Sequence, residues 1–185
     1  TRLERVGVLR LASPSGEALP PLTGWPEQLA ACIGDNIFLL PGGYEVDGRE
    51  ISPFDAVQVR AAVETLKARG IGSIAITSAF APVNATMEEQ AAEIVRELHP
   101  QARVTRSNAI GRIGFIEREN AAILNAALSA LAGSVIASFE RALRDLGIAA
   151  PLYISQNDGT LISAAQAAAH PVLTIGSGPT NSMRG

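Results

Sequence analysis

The amino-acid sequence predicts an α/β fold in which a mostly parallel sheet carries helices on both faces, after a β-rich N-terminal section. From residue 52 onward, short apolar segments alternate with longer segments of helical periodicity, and glycine or proline separates them. The apolar segments are continuous, as buried parallel strands are. This order indicates right-handed βαβ crossovers. We therefore expect a β-rich section over residues 1–51 and an α/β lobe over residues 52–185.

The N-terminal section is the least regular part of the sequence. Residues 6–11 are apolar enough for a strand, and the prolines and glycines of residues 12–25 indicate a loop. Two short β segments are predicted over residues 36–52, with turns at Pro41-Gly42-Gly43 and at Asp47-Gly48. The start of the section lacks the apolar core of a signal peptide.

Start and stop signals mark two helices and two strands in the middle of the chain. Ser52 followed by Pro53 has the order of an N-cap and a first helical residue, and Thr86 with Glu89 has the spacing of a capping box. The expected elements are a helix from Ser52 to Gly70, a strand over residues 73–80, a helix from Thr86 to Pro100 and a strand over residues 102–107.

A long uncharged segment occupies residues 121–139. Apolar side chains recur at three- and four-residue steps from Leu124 to Leu146, which predicts buried core helices with Gly133 as a candidate break. The segment is long enough to span a bilayer, but its alanines and polar residues such as Asn125 favour a packed interior helix. We therefore expect no membrane partner.

The last part of the chain predicts two more strands, over residues 151–155 and 172–175. Ser163 and Gln166 have capping-box spacing for a short helix between them, over residues 164–170. Ligands of parallel sheets bind beyond the carboxyl ends of the strands. That rule selects three turns as candidate sites, over residues 78–84, 155–159 and 176–181.

Composition limits the chemistry. The 185 residues are 47% hydrophobic and 18% charged, as in a globular domain. A net charge of −3 and 4% aromatic residues argue against nucleic acid as a partner. One cysteine, Cys32, and two histidines cannot form a disulfide or the usual closed zinc site. We expect no metal site, a reducing compartment and a buried Cys32.

Two of the selected turns have both a functional and a structural interpretation. The glycines of the last turn allow a ligand to approach N–H groups that attract anions, or they serve only the packing of a tight turn. Its residues are Gly176, Ser177, Gly178, Pro179, Thr180 and Asn181. The polar groups of the middle turn suit a ligand, a domain interface or a plain Asx turn. Its residues are Ser155, Gln156, Asn157, Asp158 and Gly159.

Two further arrangements rest on residue type alone. Ser177, His170 and Asp158 could form a hydrolase triad, but no G-x-S-x-G elbow supports it, and a histidine also suits the last turn of a helix. Glu117 and Glu119 could offer paired carboxylates, or they could be solvated acids of a first helical turn. Catalytic residues are therefore left unassigned.

Several of these turns occur together in one known family. They are Gly42-Gly43 with Asp47-Gly48, Ser78-Ala-Phe-Ala-Pro-Val-Asn84, Glu117-Arg118 followed by Leu124-Asn125-Ala126, Ser155-Gln-Asn-Asp-Gly159 and Ser177-Gly178-Pro179. With them the sequence resembles the hydantoinase/oxoprolinase family, of the hydantoin utilization protein A type. It departs at Thr180-Asn181-Ser182, where members usually have Ala-Gly-Gly, and at Asn157-Asp158-Gly159, where they more often have Asn-Gly-Gly or Asp-Gly-Gly.

The resemblance implies one lobe of an actin- and hexokinase-type ATPase, which has a ribonuclease H-like fold. It also implies an ATP- and Mg²⁺-dependent hydrolase of hydantoin-like or 5-oxoproline-like rings, in which ATP phosphorylates the ring oxygen and water opens the ring. The family's two Asp-x-Gly-Gly-Thr phosphate loops are absent from this sequence. The chain is therefore expected to be an internal piece that ends in the helix connecting two lobes, binds no nucleotide alone and is inactive alone.

The resemblance also implies roles for the candidate residues. Residues 176–181 would face the nucleotide or the other lobe, and residues 155–159 with Asn84, Glu117 and Arg118 would face a substrate or an interface. A small-molecule substrate and a partner subunit or homo-oligomer are the implied partners, in the cytoplasm. The alternative is a non-catalytic scaffold or subunit-interaction domain of a related carboxylase or hydrolase complex.

Overall fold

The computed structural model describes residues 3–184. The first two residues and Gly185, which fall within the sections predicted over 1–51 and 52–185, lie outside the described residues. The chain forms two compact units, one ending at Ala127 and the other beginning at Leu128. This division differs from the predicted one at residue 52, because the first strand pairs with strands from both sides of that position.

A four-stranded parallel sheet is the centre of the first unit. Its strands are β1 (Val6–Ser13), β2 (Ile37–Pro41), β3 (Ser73–Ser78) and β4 (Arg103–Arg106), in the spatial order β2-β1-β3-β4. In the central strand β1, Leu9 lies opposite Phe38 of β2 and Ile76 of β3. All of β3 and nearly all of β1 are buried, as continuous apolar strands predict. The prediction of a parallel α/β sheet is confirmed.

Helices cover both faces of this sheet, as predicted. They are α1 (Glu27–Ile33), α2 (Ala56–Ala68), α3 (Thr86–Leu98) and the first part of α4 (Phe115–Asp145). On one face, Leu9 packs in a core with Val63 of α2 and Met87 of α3. On the other face, Val8 packs in a second core with Ile123 of α4.

Two helix starts differ from those predicted. Asp55, rather than Ser52, caps α2, because its Oδ1 accepts the backbone N–H groups two and three residues ahead at 3.0 Å each. Thr86 makes no capping box, since α3 already begins at this residue. Asn84 Oδ1 instead accepts the backbone N–H of Thr86 at 3.0 Å.

Burial differs from prediction at two places. Cys32 is exposed on α1, because its neighbour Ile33 takes the buried position at the end of that helix. On α4 the predicted core stripe is largely solvent-accessible, with Val135 44% and Phe139 55% exposed. The buried side of its first part instead carries small residues and Ile123, which bring the helix close to the sheet.

The helix α4 is continuous over 31 residues and passes through Gly133 without a break. Among the described residues it is the one helix long and apolar enough to cross a membrane, a test that core helices of soluble proteins also pass.

The second unit contains a hairpin instead of the two predicted parallel strands. β5 (Tyr153–Ser155) pairs antiparallel with β6 (Leu161–Ser163), because the turn between them, with Gly159 at φ +83°, reverses the chain. The predicted capping box at Ser163 and Gln166 is confirmed at α5 (Ala164–Ala169). Residues 172–175 form no strand. A 3₁₀ turn (Pro171–Thr174) begins there, because proline fixes φ and lacks an N–H donor, and α6 (Ser177–Arg184) follows.

Candidate functional site: the carboxyl edge of the parallel sheet

The carboxyl ends of three strands meet through backbone hydrogen bonds. Ala79, just after β3, donates its N–H to Leu11 of β1 at 3.2 Å and accepts the N–H of Tyr44, after β2, at 3.1 Å. Gly43 lies between them at φ +89°, and a Cβ there would come within 2.9 Å of both the Ala79 Cβ and the Leu11 carbonyl oxygen. Glycine is required at this position because three segments approach closely.

Below this edge, four residues form a closed hydrogen-bonded ring. Glu88 Oε1 accepts the backbone N–H of Ser78 at 2.9 Å and the hydroxyl of Ser107 at 2.5 Å. The same hydroxyl oxygen accepts from Arg118 Nε at 2.9 Å, and Arg118 Nη2 donates to the Ser78 carbonyl at 2.5 Å. Glu88 Oε2 also accepts the backbone N–H of Asn108 at 3.0 Å. The ring joins β3, α3, α4 and the segment after β4.

Arg118 also fixes the loop that leads into α4. Its Nη1 donates to three successive carbonyls, of Arg112, Ile113 and Gly114, at 2.9, 3.1 and 3.3 Å. The side chain is 1% exposed, so its donors are used inside the unit. Within the described residues Arg118 therefore holds these segments in place, while the role implied by the resemblance, contact with a substrate or an interface, stays a prediction.

A buried ion pair lies beside the ring. Arg10 Nε is 2.7 Å from Glu119 Oε2, and Nη2 donates to Glu119 Oε1. Arg10 Nη1 donates to the Gly16 and Leu19 carbonyls. The Phe115 ring lies near both guanidinium groups, 5.2 Å from that of Arg10 and 5.9 Å from that of Arg118.

The interpretation of Glu119 as a solvated acid is wrong, since the residue is fully buried. Sequence reasoning also missed Arg10 and Glu88. A signal for each existed: Arg10 interrupts an apolar strand, and Glu88 precedes Ala91 and Val95 by three and seven residues on the buried side of α3.

Burial opposes charge on both ionisable members of the ring. It raises the pKa of Glu88 above its ordinary value of 4.5, although the hydrogen bonds from Ser107, Asn108 and Ser78 and the charge of Arg118 act in the opposite direction. Burial likewise lowers the pKa of Arg118. Both shifts follow from the burial of the two side chains, which are 0% and 1% exposed.

The other candidate residues of the first unit lie nearer the surface. Asn84 is half-buried and ends a turn in which Phe80 adopts φ +50°, an uncommon conformation for a bulky residue. The Phe80 carbonyl accepts the N–H groups of Val83 and Asn84 at 2.9 and 3.2 Å. Glu117 is exposed in the first turn of α4.

In the second unit the two candidate turns contact each other. The Thr180 hydroxyl donates to the Asn157 carbonyl at 2.9 Å, and the backbone N–H of Asn157 donates to the Leu173 carbonyl at 2.8 Å. Asp158 Oδ1 accepts the N–H and hydroxyl of Thr160 at 2.8 and 2.7 Å, which is Asx-turn geometry. The rule for parallel strands does not apply to these turns, because one follows a hairpin strand and the other a 3₁₀ turn.

An apolar groove also lies in the second unit. Its volume is about 340 Å³, and Leu131, Val135 and Phe139 of α4 line it together with Ile154 and Ile175. It contains almost no polar surface, so it suits an apolar side chain better than a nucleotide or a metal ion.

The described residues do not by themselves fit the cofactors that the resemblance implies. Over residues 3–184, no group of three or more His, Cys, Asp or Glu side chains is placed to hold a metal ion. The chain has no Asp-x-Gly-Gly-Thr loop, and the Thr180 hydroxyl at the glycine turn is used by Asn157. No step of a mechanism is therefore assigned to ATP on this chain.

Two family models together match most of the chain. The family model of the hydantoinase/oxoprolinase N-terminal region matches residues 10–99, and the hydantoinase/oxoprolinase model matches residues 118–185. The chain belongs to the hydantoinase/oxoprolinase family, and the resemblance found in its turns is confirmed.

Individual relatives are similar over most of this chain. Caprolactamase subunit alpha from Pseudomonas jessenii is 26% identical over 136 residues, which are 73% of this chain and 20% of that protein. The crystal structure of the ATP-dependent caprolactamase from Pseudomonas jessenii covers 97% of this chain with a TM-score of 0.75 at 21% identity. Nucleotide-free acetone carboxylase, described for ATP-dependent acetone carboxylation, covers 98% with a TM-score of 0.76 at 18% identity.

The chain spans only 28% of each of these two solved structures. At such identities the likeness shows a shared fold, and the predicted α/β fold of the family is thereby confirmed.

Proposed function

We propose that this chain is part of an ATP-dependent enzyme that hydrolyses cyclic amides such as hydantoins, 5-oxoproline or lactams. The observation that carries the proposal is the consecutive match of two models of one family, over residues 10–99 and 118–185. A relative named caprolactamase subunit alpha supports a cyclic amide as substrate. The name of that relative also supports work with a partner subunit, and we propose a cytoplasmic location.

Within such an enzyme, the first unit would supply a rigid edge for the substrate. Three segments meet at Gly43, and the ring of Ser78, Glu88, Ser107 and Arg118 holds the segments below it. Residues 155–159, Asn84 and Glu117 remain proposed substrate or interface contacts, and residues 176–181 remain proposed nucleotide or interlobe contacts. ATP with Mg²⁺ would bind with help from sequence other than this chain, so the chain alone would be inactive.

The test is ring opening by the full-length protein together with its partner subunit. Hydantoin, 5-oxoproline and caprolactam are each supplied with ATP and Mg²⁺, and the ring-opened product and ADP are measured. We expect at least one ring to open with ADP formed in proportion, and no product without ATP. Failure of all three rings, or hydrolysis that does not need ATP, would contradict the proposal.

A second candidate is a non-catalytic subunit-interaction domain. The observation that favours it is the apolar groove on α4, where Phe139 is 55% exposed. This candidate predicts that Phe139→Asp abolishes assembly with the partner subunit, measured by analytical ultracentrifugation. It also predicts that the assembled wild-type complex opens none of the rings.

A further inference from the structure

We propose that Glu88, Ser107 and Arg118, here called the strand-end clamp, are positioning residues that hold the segments after β3 and β4 in the shape that binds the cyclic amide. This inference rests on the proposed function. The clamp touches no substrate itself, because all three side chains are buried. It acts through the backbone that it holds.

Ser78 is the last residue of β3, and both of its backbone polar groups are bound by the clamp, the N–H by Glu88 and the carbonyl by Arg118. Ser107 joins these two charged groups by accepting from one and donating to the other. A peptide held from both sides keeps its position and its orientation.

The segment after β4 is also held by the clamp. Glu88 binds the N–H of Asn108, and Arg118 binds the carbonyls of residues 112–114. That segment is otherwise short of packing, since Arg112 is exposed and Ile113 is 64% exposed. An acceptor and a donor side chain from inside the unit, Glu88 and Arg118, therefore fix a surface loop at the edge where ligands of parallel sheets bind.

The charged side chains of Glu88 and Arg118 are buried and therefore desolvated. A protein with apolar residues of the same volume in their place would often be equally stable or more stable. Stability alone therefore gives no reason for this arrangement. The clamp instead specifies one conformation of two loops, which is the requirement of a binding site built on rigid elements.

Neighbouring residues offer matched controls for the test. Glu89 and Arg106 are adjacent in sequence to Glu88 and Ser107, and they form an ordinary ion pair of 3.2 Å at the surface. Glu88→Gln is therefore compared with Glu89→Gln. Arg118→Lys is compared with Arg106→Lys. Ser107→Ala removes the shared hydroxyl with little loss of volume and serves if the charge variants do not fold.

The experiment uses the full-length protein with its partner subunit and has two readouts. Hydrogen exchange is measured at the amides of Ser78 and Asn108, and equilibrium affinity is measured for hydantoin and caprolactam, which needs no turnover. We expect Glu88→Gln and Ser107→Ala to accelerate exchange at both amides by about tenfold or more and to weaken amide affinity by about tenfold. Glu89→Gln should change neither. A further variant, Arg118→Ala, should lose amide affinity and regain it when guanidinium ion is added.

The outcomes separate this inference from the proposed function. Unchanged amide exchange, or faster exchange with unchanged affinity, overturns the positioning role. If the wild-type protein binds neither ring, the positioning role is overturned. If the wild-type protein binds a ring but does not open it with ATP, the proposed function is overturned. The positioning role is then still decided by amide exchange and affinity in the variants.

Discussion

The guanidinium of Arg10 and the carboxylate of Glu119 face each other in the interior of the first unit, with Arg10 Nε 2.7 Å from Glu119 Oε2. Arg10 is 1% and Glu119 0% exposed. The pair links the central strand β1 to the first part of α4, and the remaining donor of Arg10 holds the loop at Gly16. Since both charges are desolvated, each depends on the other for compensation.

Removal of one member of this pair should be strongly destabilising. Glu119→Leu leaves the Arg10 guanidinium buried without its counter-charge, and we expect a loss of about 3–5 kcal/mol in the free energy of unfolding. The measurement is urea unfolding of the 185-residue chain. The double variant Arg10→Met/Glu119→Leu should recover much of this loss, because no uncompensated charge remains.

The control for that prediction is the exposed ion pair of Arg60 and Glu97. Glu97→Leu should change stability little, because water and salt screen the pair. If the Glu119 variant were no less stable than the Glu97 variant, the buried pair would have no special structural role.

Two glycines in the left-handed region allow a direct test of close approach. Gly43 and Gly48 have φ of +89° and +86°, but only Gly43 would place a Cβ against other atoms, 2.9 Å from the Leu11 oxygen. Gly48→Ala should cost about 1 kcal/mol from backbone strain alone. Gly43→Ala should cost about 1–3 kcal/mol more, because a side chain is forced into packed backbone. Equal unfolding free energies for the two variants would contradict the close approach of the three segments.

The start of α2 gives a prediction about capping. Asp55→Ala should lower the thermal midpoint, because two backbone N–H groups lose their acceptor. The hydrogen bonds from Gln58 lower the pKa of Asp55 below 3.8. Its contribution is therefore present above that value and disappears as the pH falls through the lowered pKa. Thermal scans should show a larger Asp55→Ala difference at neutral pH than at acidic pH.

The parallel sheet could be predicted because its physical signals are local. The segment of β3 is mostly apolar and lies between Gly72 and Pro82, and such a segment is favourable only when both faces are covered. The capping box of α5 is equally local, since Ser163 and Gln166 bind each other's backbone. Local signals succeeded at these two elements, although those at Ser52 and Thr86 did not mark the true helix caps.

The polar interior could not be predicted in the same way. Arg10 and Glu119 are far apart in sequence, and nothing local shows that a charge in a strand meets one in a helix. The exposed stripe of α4 shows a second limit of prediction from sequence. Periodicity places Val135 and Phe139 on one face, but it does not show whether a partner element covers that face. At residues 171–174 a single proline favours a 3₁₀ turn over the strand that the apolar residues predict.

Glu88 should give the stability of the first unit a characteristic dependence on pH. Its pKa is raised above 4.5 in the folded chain, mainly by burial, so the folded state holds the proton more strongly than the unfolded state. The Glu88 contribution to stability is then fully present below pH 4.5 and declines as the pH rises through the raised folded pKa. Arg118 is the charged group that faces this carboxyl within the ring, and burial lowers its own pKa.

The measurement is a set of urea unfolding curves from pH 4 to pH 8, compared between the wild-type chain and Glu88→Gln. Because glutamine does not titrate, the difference in unfolding free energy between the two chains should shift steadily in favour of Glu88→Gln as the pH rises. Glu89→Gln should run parallel to wild type at every pH. A difference that does not vary with pH would mean that the hydrogen bonds and the Arg118 charge offset the burial of Glu88.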